Sequence, residues 1–182
     1  MGNMDFWVRK PVISLVLVFT GLTATFCAGN NKQDGKLKPG DPIPDVVVRD
    51  QNAQTVHLAS EAKTGYTLFF FYPRALTRGC TAQACSLRDA YAELQEKGVK
   101  IFGVSTDAIE KQKDFEVTHN LPYRLLADTD KKVIKSFGVP LRMNSFAGRQ
   151  AFLFKDGILV WHDTNASTDK QAEDVLHALE KL

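Results

Sequence analysis

The chain has 182 residues, 44% of them hydrophobic and 24% charged, with a net charge of +2. That length suits one domain, with a core large enough to hold without disulfides. So small a charge, with no basic stripe interleaved with aromatics, sets nucleic-acid binding aside.

Arg9 and Lys10 precede an uncharged stretch, Pro11 to Asn31, whose apolar heart reads VISLVLVF. A basic region followed by an apolar one reads as an export signal. The stretch approaches the ~20 residues that span a bilayer, so a membrane tether through 11–28 stays open beside cleavage. Cys27 stands where a lipidated cysteine would end a lipoprotein signal, although Phe26 rather than a small residue precedes it. The expected organisation is a signal peptide or anchor at 1–28, a flexible tether at 29–36 and one domain at 37–182, placed outside the cytoplasm.

Short strands are predicted at 45–49 and 54–58. The apolar run TLFFFY at 67–72 predicts a strand buried on both faces, ended by Pro73. A helix is expected over 81–97, with Ala84, Leu87, Tyr91 and Leu94 on one stripe and Gly98 as its stop. VKIFGVS at 99–105 reads as another buried strand. Asp107 and Glu110 make a capping box for a helix that must finish before Pro122. A shorter helix carries Val133, Ile134 and Phe137 and stops at Gly138. QAFLF and ILVWH flank Asp156-Gly157, a hairpin signature. A last helix runs from about Asp169, capped by Thr168 and Gln171, with Ala172, Val175, Leu176 and Leu179 on its buried face. This order of elements predicts an α/β, thioredoxin-like fold: a central mixed sheet flanked by helices.

Cys80 directly follows the strongest strand and falls in the first turn of a helix. Unpaired amides and the positive end of the helix dipole favour an anion there, so a thiol at that place loses its proton more readily. Arg74 and Arg78 add charge nearby. Thiolate is the form that attacks an O–O bond. The plainer alternative is a small buried hydrophobe, which the crowding of Pro73, Thr77, Gly79 and a helix start argues against. Thr77 is either a hydrogen-bond partner of the thiolate and peroxide or an ordinary N-cap. Cys85 lies five residues on. In an intact helix such residues are about 140° apart, with Cα atoms roughly 8–9 Å apart. A disulfide wants less than ~7 Å, so any bridge requires the first turns to unwind. The alternative for Cys85 is a packed core thiol.

FYPRALTRGCTAQACSLRD resembles the peroxidatic segment of peroxiredoxins, in particular the peroxiredoxin Q, or bacterioferritin comigratory protein, group. Pro73, Thr77 and Cys80 match that family's Pro-x-x-x-Thr-x-x-Cys motif. Cys85 falls where many members carry a resolving cysteine. GDPIPD, GVSTDAIEKQKDF and HNLPYRLLADTDKKVIKSFGV extend the likeness over residues 37–182. The resemblance implies an antioxidant thiol peroxidase acting on hydrogen peroxide and organic hydroperoxides. It also implies a Cys80–Cys85 disulfide, a thioredoxin-like dithiol reductant and a monomer; the sequence itself holds no glycine-rich phosphate loop or metal cluster, so no cofactor is expected. The resemblance makes Arg149 the arginine that holds the thiolate, a task suited to a fixed fork of donors. Leu76 and Arg78 depart from the Asp and Pro common there, Ala151 from a hydroxyl residue, and Val46 from Phe.

Two other readings have weaker support. A tethered copper chaperone would use two cysteines separated by three residues and a downstream histidine. Here four residues intervene, and His57, His119, His162 and His177 have no ligand-like spacing. A thiol–disulfide oxidoreductase acting on proteins would use a pair separated by two.

Overall fold

The computed structural model describes Met1, Gly2 and residues 36–182. The expected signal or anchor, Cys27 and most of the tether lie outside the described residues. Within the domain, β1 (Val47–Asp50) and β2 (Thr55–His57) lead into the single turn α1 (Leu58–Glu61) and then β3 (Tyr66–Phe71). Two helices follow, α2 (Arg78–Asp89) and α3 (Tyr91–Glu96). After them come β4 (Val99–Ser105), α4 (Ile109–His119), β5 (Arg124–Ala127) and α5 (Lys132–Ser136). A small ribbon, β6 (Leu141–Arg142) and β7 (Phe146–Ala147), precedes the hairpin β8 (Gln150–Lys155) and β9 (Ile158–Asp163). The last element described is α6 (Gln171–Leu179).

The main sheet has seven strands in the order β2-β1-β5-β4-β3-β8-β9. The parallel pairs β3–β4 and β4–β5 form its centre, and the remaining pairs are antiparallel. It is the mixed sheet flanked by helices that the order of elements predicts.

Because side chains alternate along a strand, β3 feeds two cores. Leu68, Phe70 and Tyr72 face one core, which α2, α4 and α6 cover with Cys80, Ala84, Leu87, Phe115 and Val175. Phe69 and Phe71 face the other, closed by Leu58, Val133, Ile134 and Phe137. Gly103 lets Phe70 lie across β4, since a Cβ there would come within 2.8 Å of the Phe70 ring. At the β8–β9 turn, Asp156 and Gly157 take φ of +50° and +81°, as the Asp-Gly pair predicts.

Three local expectations need correction. The helix expected over 81–97 begins at Arg78 and bends at Ala90, dividing into α2 and α3. Its start therefore carries Cys80 as the third helical residue. Neither expected capping box forms: α4 and α6 have Ala108 and Lys170 at their N-caps, without side-chain bonds. Asp107 and Gln171 are drawn instead to partners around Cys80. The small β6–β7 ribbon was not anticipated.

Candidate active site

The end of β3 aims the chain at α2, and the loop between them is held from below. Tyr72, the last aromatic of the run, is fully buried and its hydroxyl bonds Gln112 Oε1. Burial pushes its phenol far above the ordinary range, so it stays neutral. Gln112 Nε2 donates to Ser105 Oγ at 3.0 Å, and Ser105 Oγ donates to Asp107 Oδ2 at 2.8 Å. That same carboxylate oxygen accepts the Ala75 amide at 2.7 Å. A polar chain thus runs from the core to the loop that precedes Cys80. In that loop Leu76 is exposed with φ of +63°, a left-handed conformation unusual for leucine.

Cys80 is 2% exposed and Cys85 half-buried, and both are free thiols in α2. Arg149, just before β8, donates from Nη2 to Cys80 Sγ at 3.3 Å. Its Nη1 donates to Gln83 Oε1. One guanidinium therefore spans the sulfur and the next turn of the same helix. Thr77 is the N-cap residue of α2, and its hydroxyl donates to Arg74 O at 2.9 Å rather than to an amide of the helix. With its proton so engaged, Oγ1 keeps lone pairs for an incoming donor. Pro73 is half-buried at the start of the loop, while Arg74 and Arg78 are exposed at its surface. The fold brings Cys80 and Arg149, 69 residues apart, into direct contact. Cys85 sits further along α2, beyond Ala84, whose carbonyl accepts the Tyr123 hydroxyl at 2.7 Å.

The sequence pattern of the AhpC/TSA family matches residues 39–162. The chain belongs to the AhpC/TSA family. Among relatives, chloroplastic peroxiredoxin Q of Oryza sativa subsp. japonica is 33% identical over 151 residues, covering 81% of this chain and 69% of that protein. Peroxiredoxin Bcp of Escherichia coli (strain K12) is 43% identical over 103 residues, 57% of this chain and 65% of that protein. The crystal structure of peroxidoxin BcpB from Mycobacterium tuberculosis superposes with a TM-score of 0.74 at 30% identity. It covers 80% of this chain and 98% of that one. This AhpC/TSA member is a thiol-dependent peroxidase, and the likeness favours neither the copper chaperone nor the protein oxidoreductase. Among the described residues no three His, Cys, Asp or Glu side chains gather as metal ligands do.

Three groups around the site are given no role at the thiol by the sequence. Gln83 was legible in principle, because it stands one turn from Cys80 on the same helix face. Gln171 was not, being 88 residues from the Gln83 it bonds. The spacing of Asp107 and Gln171 predicts capping boxes, and both side chains bond elsewhere. The loop amide and Ser105 hydroxyl reach the Asp107 carboxylate, and Lys111 pairs with the other oxygen at 3.1 Å. Asp107→Ala is expected to destabilise the domain by about 2 kcal/mol, the scale for removing a charged acceptor from buried donors. It should also slow peroxide reduction as the loop loosens. Denaturant unfolding and an initial-rate assay on the same sample check both.

Proposed function

We propose that Cys80 attacks the peroxide and Cys85 resolves the product, with Pro73, Thr77 and Arg149 completing the site. The observation that carries this reading is the Arg149 Nη2 to Cys80 Sγ contact at the start of a helix that also holds Cys85. The Cys80 thiolate takes one peroxide oxygen, the O–O bond breaks, and the departing oxygen leaves as water or an alcohol once protonated. Arg149 supports negative charge on sulfur and on the breaking O–O bond. Thr77 Oγ1 accepts from the peroxide O–H and fixes its approach. Pro73 ends β3 and shapes the loop that leads into α2 and Cys80.

Cys80 is then a sulfenic acid. The first turns of α2 unwind, the Cys85 thiol attacks Cys80 Sγ, water leaves and a Cys80–Cys85 disulfide forms. A thioredoxin-like dithiol protein returns both thiols by exchange and takes the disulfide away. Every group in this scheme comes from one chain, so a monomer suffices. The charged Arg9-Lys10 pair before an apolar segment supports export, with the segment cleaved, retained as an anchor or lipidated at Cys27. Outside the cytoplasm the reductant must itself be kept reduced against an oxidising environment.

The test is one equivalent of hydrogen peroxide followed by mass spectrometry of the intact mature protein. A loss of two hydrogens linking Cys80 and Cys85 is expected, and the same spectrum gives the N-terminus and any lipid. Cys85→Ser should still consume one equivalent, then stall with a sulfenic acid on Cys80. Sustained turnover by Cys85→Ser at the native rate would remove Cys85 from the scheme.

A further inference from the structure

A buried amide relay joins the C-terminal helix to the reacting sulfur. Gln171, the first residue of α6, and Gln83, one turn beyond Cys80, are both fully buried. Arg149 fixes the direction of the relay, because a guanidinium only donates. It takes up Gln83 Oε1 and so turns Gln83 Nε2 towards α6. That amide donates to Gln171 Oε1 at 2.8 Å. Gln171 must therefore present its oxygen, and its own Nε2 is left buried with no partner. An unmet buried donor is a cost that leucine or methionine would avoid at this position. What the amide offers in return is the acceptor. Beside it, the Ala172 amide donates to Ser86 Oγ at 3.1 Å. The first turn of α6 thus grips α2 at Gln83 and Ser86, on either side of Cys85.

We propose that Gln171 is a positioning residue that sets the balance between the two chemical steps. Through Gln83 it keeps Arg149 on Cys80 for peroxide attack, and by the same bond it holds α2 folded against the disulfide step. This rests on Cys85 being the resolving thiol. With α2 intact the relay is complete. Once the first turns unwind, Gln83 leaves both partners and Arg149 loses its guide. A stronger Gln83–Gln171 bond therefore favours oxidation and delays the disulfide. Delay has a chemical consequence: a sulfenic acid held longer can meet a second peroxide, which transfers one oxygen to give sulfinic acid and leaves as water or alcohol.

The experiment uses the full chain, hydrogen peroxide and rapid quenching, with mass spectrometry resolving thiol, sulfenic acid, disulfide and sulfinic acid. In Q171M, oxidation of Cys80 should slow about tenfold, the scale of one well-aimed hydrogen bond, while the disulfide forms about tenfold faster. Sulfinic acid at high peroxide should fall accordingly. Q171E keeps an acceptor oxygen and should hold both rates within about threefold of the native chain. S86A releases the second grip without touching the relay, so it should quicken only the disulfide step. Opposite shifts in the two rates at an unchanged melting temperature are the signature, since loosening alone, as in S86A, quickens the disulfide step without slowing oxidation. Unchanged rates in Q171M, or both rates falling with the melting temperature, overturn the proposal. If Q171M does not fold, Q171L is held to the same criteria. The native chain is measured first: no Cys80–Cys85 disulfide there defeats the resolving role and this proposal together. A native disulfide with unmoved Q171M rates defeats only the role of Gln171.

Discussion

Cys80→Ser is expected to reduce peroxide consumption to the background of the reductant alone, a fall of about 10⁴-fold or more. That is the scale for deleting the nucleophile of a covalent mechanism. The physical reason is the loss of the thiolate. A serine hydroxyl stays protonated near neutral pH, and its oxygen is a poor nucleophile towards an O–O bond. The substitution should leave the fold intact, because Ser is almost the same size and Arg149 Nη2 can donate to its oxygen as it does to Cys80 Sγ. Burial of a hydroxyl in place of a 2%-exposed thiol should cost about 1 kcal/mol, within the range of conservative core changes. Peroxide loss should be followed with a small dithiol as electron donor, which removes dependence on the natural reductant. Retention of more than a tenth of native activity with Cys85 untouched would end the assignment.

Much of this architecture could be read from local pattern because local pattern was also what the core required. The run at 68–71 is apolar at every position, and β3 has to feed two cores at once. Asp156-Gly157 turns where it should because both residues accept positive φ. The β6–β7 ribbon leaves no such mark in the sequence. Its turn uses Met143 and Asn144 at φ of +50° and +55°, and Met143 is a residue that carries no such preference.

The site divides along the same line. Cys80, Thr77 and Pro73 lie in one short segment whose spacing is itself informative. Arg149 was reachable only through family resemblance, since a lone arginine before a strand says nothing of a thiol 69 residues earlier. Asp107 and Gln171 show how spacing misleads. Each stands at the right interval for a helix cap, yet each finds a partner distant in sequence, the Ala75 amide for Asp107 and Gln83 of α2 for Gln171. A cap bond is worth about 1 kcal/mol and competes poorly with a buried carboxylate or amide that must be satisfied inside.

Arg149→Met is expected to slow oxidation of Cys80 by about 10²–10³-fold, the scale of removing one preorganised donor from developing negative charge. Two effects act in the same direction. Cys80 Sγ loses its 3.3 Å donor, and the peroxide loses the charge that would meet its departing oxygen. A third falls on the helix, for Gln83 Oε1 is left facing an apolar side chain. That orphaned acceptor should lower stability by about 1–3 kcal/mol, which thermal melting separates from the kinetic loss. Arg149→Lys distinguishes charge from geometry. An ammonium restores the positive charge, but as a point donor it lacks the fork that touches sulfur and Gln83 together. If charge alone mattered, the lysine variant would recover nearly all of the native rate. Because two fixed bonds are made by one planar group, recovery should be partial, about tenfold above methionine and well short of arginine. Stopped-flow oxidation at several pH values completes the comparison. A methionine variant within threefold of the native rate across that range would show that Arg149 touches Cys80 without serving it.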